Sequence, residues 1–312
     1  MEWEPFLKKF RYVRELLDQN AQLRDEAAQL RTELAPWAGF HPPGHFYSPL
    51  PSRAEVAEVF ARGGFGPPFP AIDLNEAGQL ALLETLAGYY PDQPFPKEPT
   101  PGHRYHFNND SFGPFDAIML YGIMRHAQPR RVVEVGSGFS SAAILDVNER
   151  VLQGRAELTF IDPDMGRVRP LLRAEDRSRV TLIERCVQDV PLEVFAALEA
   201  NDILFIDSSH VSKVGSDVNR LYFDVLPALQ AGVWVHIHDI ASNLEYPRAW
   251  LEEGRAWNEQ YLLRAFLMYN HAFRIELFTS WLYDRQQTLL RERMPLCVSD
   301  GGQMWLRKVA AG

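Results

Sequence analysis

Five short apolar runs, at Arg131–Val135, Glu157–Ile161, Val180–Glu184, Asp202–Ile206 and Val233–Ile237, constrain this chain more than any other feature. Stretches with helical periodicity fill the gaps between them. Runs of this length and composition suit strands buried on both faces, and repeated β-α units predict a parallel sheet sandwiched by helices. The crossover between parallel strands is right-handed, so every strand's carboxyl end falls on one edge, where open sheets take their ligands. The polar residues ending these strands, Glu134, Asp162, Asp207, His238 and Asp239, therefore converge. Two later runs, Phe273–Ser280 and Gln303–Val309, have no obvious long crossover between them and predict a late antiparallel pair.

The first run breaks into a glycine-rich turn, Gly136-Ser137-Gly138, before a helical pattern resumes. Glycine there permits backbone angles and close approaches that a side chain would forbid, and Ser140 or Ser141 can cap the helix. Alone, such a turn is either a tight strand-to-helix connection or a nucleotide site. Its pattern is Gly-x-Gly-x-x-Ser, with Ser141 where dinucleotide-binding turns carry a third glycine, which argues against an oxidoreductase. The formal net charge of -9 argues against a nucleic-acid partner held by general electrostatics. With only Cys186 and Cys297, neither a disulfide framework nor a cysteine zinc site is expected, and both thiols are expected in or near the core. No run reaches transmembrane length and the amino terminus has no signal-peptide pattern, so no membrane partner is expected and the cytoplasm is the expected location.

Ahead of the sheet, Phe6, Val13, Asn20, Ala27 and Leu34 recur every seventh residue, with Leu16, Leu23 and Leu30 three positions after the middle members. This heptad predicts a helix over residues 1–35 that either joins a homo-oligomeric coiled coil or packs on its own domain. Pro36 is its expected stop. Residues 36–107 read as a helical and Pro-rich extension, either a surface linker or a lid carrying His45 and Tyr47, with short helices at 52–61 and 75–88, each opened by a capping side chain. The polar cluster His103, His106, Asn108, Asn109 and Asp110, just before the helix from 115 to 128, can fold back over a ligand.

From about Asn108 to Val309 the chain resembles the class I S-adenosylmethionine-dependent methyltransferases, in particular the methyltransferase-24-like bacterial family. Glu134–Gly138 is similar to that family's first motif, Phe160–Asp164 to the acidic end of its second strand, Ile203–His210 to its fourth-strand motif and Gly232–Asp239 to its fifth. The resemblance implies a Rossmann-like sheet of about seven strands, mostly parallel with a late antiparallel strand, over residues 108–312 behind an N-terminal helical extension. It implies a cofactor site built from Glu134, Gly136, Ser137, Gly138, Ser140, Asp162, Val187, Gln188 and Asp207. In that site the turn's backbone amides hold the methionine part, Asp162 takes the ribose hydroxyls, and Val187 and Gln188 lie along the adenine.

For the chemistry the resemblance leaves two arrangements. In one, Asp207, His238 and Asp239 hold a divalent cation that orients and acidifies a substrate hydroxyl. His238 stands where the family pattern has a carboxylate, which shifts the preference from Mg²⁺ towards Mn²⁺, Zn²⁺, Fe²⁺ or Co²⁺. In the other, His210 or His238 is the general base, while His236 on the same face is a hydrogen-bonded core residue. Tyr246–Trp250 is expected to wall the substrate side. The implied activity is O-methylation of a small hydroxylated metabolite of sugar or natural-product type. The alternatives are a non-catalytic scaffold that uses the fold for binding or oligomerisation, and an N-methyltransferase.

Overall fold

The structure, a computed structural model, describes residues 4–34, 40–63, 69–299 and 301–310, and in the first helix the side chains of residues 13–33. The side chains of Phe6 and Leu34, and Pro36 altogether, lie outside the described residues. The chain divides into two compact units, Met1–Gly64 and Phe65–Gly312.

In the first unit, helix α1 spans Glu4–Leu34 and α2 spans Arg53–Ala61. Ser52 caps α2 reciprocally: its Oγ accepts from the Glu55 N–H at 3.2 Å, and Glu55 Oε2 accepts from the Ser52 N–H at 2.7 Å. Every described side chain of α1 is exposed, including Val13, Leu16, Leu23 and Leu30.

The second unit holds the sheet. Strands β1 (Arg131–Val135), β2 (Glu157–Ile161), β3 (Val180–Ile183), β4 (Ile203–Ile206), β5 (Trp234–His238), β6 (Phe273–Phe278) and β7 (Gln303–Lys308) lie in the order β3-β2-β1-β4-β5-β7-β6. The first five pair in parallel, and β7 pairs antiparallel with both β5 and β6. Of the late pair, then, only β7 runs against the sheet. Strands β4 and β5 are buried along their whole length, whereas β3 at the edge is mostly half-exposed, which matches apolar runs at the centre and mixed residues outside. The order reverses direction between β1 and β4, opening the crevice that holds the site.

Residues 69–107 belong to this unit. Helix α3 (Glu76–Tyr89) buries Leu82, Leu83 and Leu86 and packs against β6 and helix α4 (Pro114–Ala127). Gly122 of α4 admits the Leu86 side chain so closely that a Cβ would stand 3.0 Å from it. The expected Asn75 cap does not form. Asn75 is left-handed, with φ of 49°, and its side-chain amide donates to the Ile275 carbonyl at 2.9 Å, fastening α3 to β6. Further along, buried Arg104 pairs with Asp146 and Glu149 of helix α5 (Phe139–Arg150) and with Asp176, at 2.8, 2.8 and 2.6 Å. Beyond that anchor, Asn109 Oδ1 accepts from the Ser111 and Phe112 N–H groups, and the Tyr105 hydroxyl donates to the Phe112 carbonyl. These bonds hold Asp110, Ser111 and Phe112 against the cavity described next. Cys297 is buried but Cys186 is exposed, because the loop after β3 runs on the surface.

Candidate active site

A cavity of about 1040 Å³ lies along the carboxyl edge of the strands, lined by residues drawn from Asp110 to Trp257. Its first half is the turn after β1. Gly136 has φ of +87°, and a Cβ there would meet the Asp207 carbonyl oxygen at 1.6 Å, so only glycine lets the ends of β1 and β4 approach. The Gly136 N–H donates to the Ile161 carbonyl at 2.9 Å, Ser137 N–H to Asp162 Oδ2 at 2.8 Å and Gly138 N–H to Ser141 Oγ at 3.1 Å. All three turn amides are therefore spent within the protein, contrary to the expectation that they hold a ligand; a buried N–H left waiting would cost a hydrogen bond. What the turn presents instead is space and the Ser137 hydroxyl, which is buried on the cavity wall without a partner. Asp162 also accepts from the Asp164 N–H at 2.7 Å, and its two oxygens keep lone pairs for a diol.

Glu134 does not line the cavity. Its carboxyl is wholly buried beneath the turn, taking the Ser140 hydroxyl at 2.6 Å and the Ser141 hydroxyl. Burial raises this carboxyl to about 8 despite the two hydroxyl donors, so at neutral pH it mostly keeps its proton. The other expected cofactor residues, Gly136, Ser137, Gly138, Ser140, Asp162, Val187, Gln188 and Asp207, all line the cavity. Gln188 donates one N–H of its side-chain amide to the Gly215 carbonyl at 2.7 Å, which leaves its second N–H and its oxygen for a ligand.

The second half lies after β4 and β5. His210 Nε2 sits 3.4 Å from Asp207 Oδ1 and 3.3 Å from Asp239 Oδ2, and one ligand atom from each of the three residues falls within 4.8 Å of the others. His238 is not the third member: its Nε2 is 3.9 Å from Asp239, its Nδ1 has no partner, and its ring leans on Phe112. The sequence assigned His238 to the cluster because it adjoins Asp239. The chain instead turns sharply after each strand, and both His210 and Asp239 adopt left-handed angles, φ 58° and 57°, that cost a non-glycine residue energy and aim the side chains together.

The charges respond to this crowding. Burial alone would raise Asp207, but His238, His210 and His236 hold its carboxyl at about 2. Burial would lower His210, but hydrogen bonds and charge from Asp207 and Glu259 lift it to about 10. His236 is driven well down by burial and by His238. It stacks on Phe205 at 3.7 Å with neither ring nitrogen paired, so it is a core residue held by stacking rather than by the expected hydrogen bonds.

Sequence reasoning missed three contributors. Trp257 lines the cavity with its ring 4.5 Å from His210, while Tyr246 and Trp250, the expected wall, pack behind it. Asp116 is buried near His238, accepting from Gln303 Nε2 at 2.9 Å and the Gly302 N–H at 3.1 Å. Glu259 is fully buried and bonds His210 Nδ1 at 2.9 Å. None of the three is adjacent to a strand end, so no local motif marks it.

Residues 133–240 match the family model described as a methyltransferase domain. An uncharacterized protein of Archaeoglobus fulgidus is 38% identical over 172 residues, which cover 52% of this chain and 75% of that one. Among solved structures, SAH-bound Podospora anserina methyltransferase PaMTH1 is similar with a TM-score of 0.42 at 16% identity, covering 84% of this chain and 98% of that one. The O-methyltransferase TomG from Streptomyces achromogenes, in complex with SAM, gives 0.41 at 14% identity over 77% and 92% of the two chains.

Proposed function

We propose that this chain, which belongs to the class I S-adenosylmethionine-dependent methyltransferase family, methylates a hydroxyl oxygen of a small metabolite of sugar or natural-product type with the help of a divalent ion. The observation that carries the reading is the convergence of Asp207, His210 and Asp239 on the wall of the cavity that also contains the glycine turn. The partnerless Ser137 hydroxyl, the free lone pairs of Asp162 and the apolar Val187 fit a ligand with an amino-acid end, a ribose and a flat base. When bound, S-adenosylmethionine supplies a methyl group on a positively charged sulfur.

The protein's own residues have two tasks. One is to align the acceptor oxygen with that methyl in a site lined by Phe112 and Trp257. The other is to lower the hydroxyl's pKa and take its proton. Asp207, His210 and Asp239 would hold a divalent cation, which would supply the first part of that second task. A ligand set with one nitrogen and two carboxylates favours Mn²⁺, Fe²⁺, Co²⁺ or Zn²⁺ over Mg²⁺. His238, buried 3.9 Å from Asp239 with an unpaired Nδ1, is then the group left to receive a proton.

Titration with S-adenosylhomocysteine and with Mn²⁺ tests this directly. Binding of both is expected, with methyl transfer lost after chelation and restored by added ion. Failure to bind the nucleoside would favour a scaffold, full activity after thorough chelation would remove the metal, and transfer to an amine would favour N-methylation.

Among the described residues no helix is long and apolar enough to cross a membrane. A chain with two cysteines and no disulfide suits the reducing cytoplasm, where we place it. We further propose that α1 pairs with α1 of a second copy. Leu16, Leu23 and Leu30 are 45%, 64% and 57% exposed along one heptad seam, and Asn20 at a core position is a device for fixing register. Sedimentation of a chain starting near Trp37 should show the lower mass; an unchanged mass rejects the pairing.

A further inference from the structure

We infer that Glu259 is a positioning residue that holds the His210 ring by its Nδ1 and so aims Nε2 into the pocket between Asp207 and Asp239. The inference rests on the proposed metal or proton role of that pocket and adds a residue to it. Three observations converge on the start of the helix Glu259–Leu267. Glu259 Oε2 lies 2.9 Å from His210 Nδ1, and both groups are buried. The N–H groups of Asn258 and Glu259 donate to the His210 carbonyl at 3.0 and 3.1 Å, so the same turn grips the residue's backbone and ring. The neighbouring positions hold the flanking loops: Asn258 Oδ1 accepts from the Ser212 N–H at 2.6 Å, and Gln260 Oε1 accepts from the Ala241 N–H at 2.9 Å.

A single turn of helix thus fastens the loop after β4 and the loop after β5, whose ends supply the three convergent groups. A carboxylate accepts only, so the nitrogen facing Glu259 must carry a proton, and Nε2, which faces Asp207 and Asp239, is the nitrogen that would turn to an ion bound between them. The ring of His210, at a left-handed φ of 58°, is otherwise flanked by Trp257 and by the two carboxylates at Nε2. The second carboxylate oxygen, Oε1, is also buried, with the buried Tyr222 hydroxyl beside Glu259, so the carboxylate sits in the interior with its Oε2 committed to His210.

The test uses the full chain labelled with ¹⁵N-histidine, with Mn²⁺ alone as the binding probe. The wild type should show a solvent-protected Nδ1–H resonance that disappears in His210→Asn. Glu259→Leu should abolish that resonance and weaken Mn²⁺ binding by about 10–100-fold, the usual loss when the outer partner of a ligating histidine is removed. S-adenosylhomocysteine affinity should stay within about twofold. Glu259→Gln keeps an accepting oxygen and should retain the resonance, shifted, with intermediate Mn²⁺ affinity; should the leucine variant not fold, this variant decides alone. A resonance and an Mn²⁺ affinity that match wild type in either variant would overturn the inference. If the wild type binds no Mn²⁺, the metal assignment falls, and the Nδ1–H resonance by itself still decides the role of Glu259.

Discussion

The two halves of the cavity are built on opposite plans. On the cofactor side every turn amide is already satisfied, Asp162 is braced by two N–H groups, and Glu134 is buried under two hydroxyls. On the acceptor side two residues sit at left-handed backbone angles and three carboxylates surround one imidazole. A ring nitrogen of His238 and an oxygen of Glu259 have no partner there at all. Apart from the partnerless Ser137 hydroxyl the first half has its polar groups answered within the protein, whereas the second holds strain and charge that a bound ion and acceptor would relieve.

That contrast can be broken most decisively at Gly136. Alanine there would place a Cβ 1.6 Å from the Asp207 carbonyl at φ +87°, so the ends of β1 and β4 must part. Loss of S-adenosylhomocysteine binding and a stability drop of roughly 3 kcal/mol or more are expected by calorimetry; a wild-type melting curve would show that the approach is not required. A paired experiment then separates the halves. Asp239→Ala should abolish Mn²⁺ binding and cost on the order of 10³-fold in kcat while cofactor affinity holds. Asp162→Asn should do the reverse, weakening the nucleoside by about 10–100-fold through one or two lost charged hydrogen bonds. Equal losses of both ligands in either variant would mean that the halves are one unit.

The smallest effect is expected at Glu134, and its sign follows from the raised carboxyl. The folded protein keeps a proton up to about pH 8 that the unfolded chain releases near the ordinary carboxylate value, so wild-type stability falls between those limits and levels above them. Glu134→Gln has no such proton to lose. Its melting temperature should gain on wild type by several degrees as pH rises from 5 to 8. A gap independent of pH would show that the buried group is already ionised.

The same division governs what the sequence makes legible. Strand positions could be read to within a residue or two because β-branched runs bounded by glycine and acidic residues leave little choice of period or length. The half around the turn after β1 is built from short contiguous motifs, so the gathering of Gly136, Ser137, Asp162 and Val187 at one strand edge could be read from them. The acceptor half depends on backbone reversals after β4 and β5, which bring His210 to Asp239 and leave His238 aside, and no pattern in the residues encodes a left-handed angle at histidine or aspartate. Glu259 lies 49 residues beyond its partner, within a helical stretch where a glutamate usually faces water. Asn75 failed as a cap because its backbone is left-handed rather than extended, and its side-chain amide donates to a distant carbonyl instead.

Arg104 carries a last consequence. Its guanidinium is shielded from water and answered by Asp146, Glu149 and Asp176, which lie 42, 45 and 72 residues away. Were the segment before α4 to dock one residue out of step, this cation and two enclosed anions would lose one another, at a cost of about 3–5 kcal/mol. The knot therefore acts as a proofreader of assembly: it adds little to the correct arrangement, but it makes near misses expensive, so Asp110 and Phe112 reach the rim of the cavity in a single alignment.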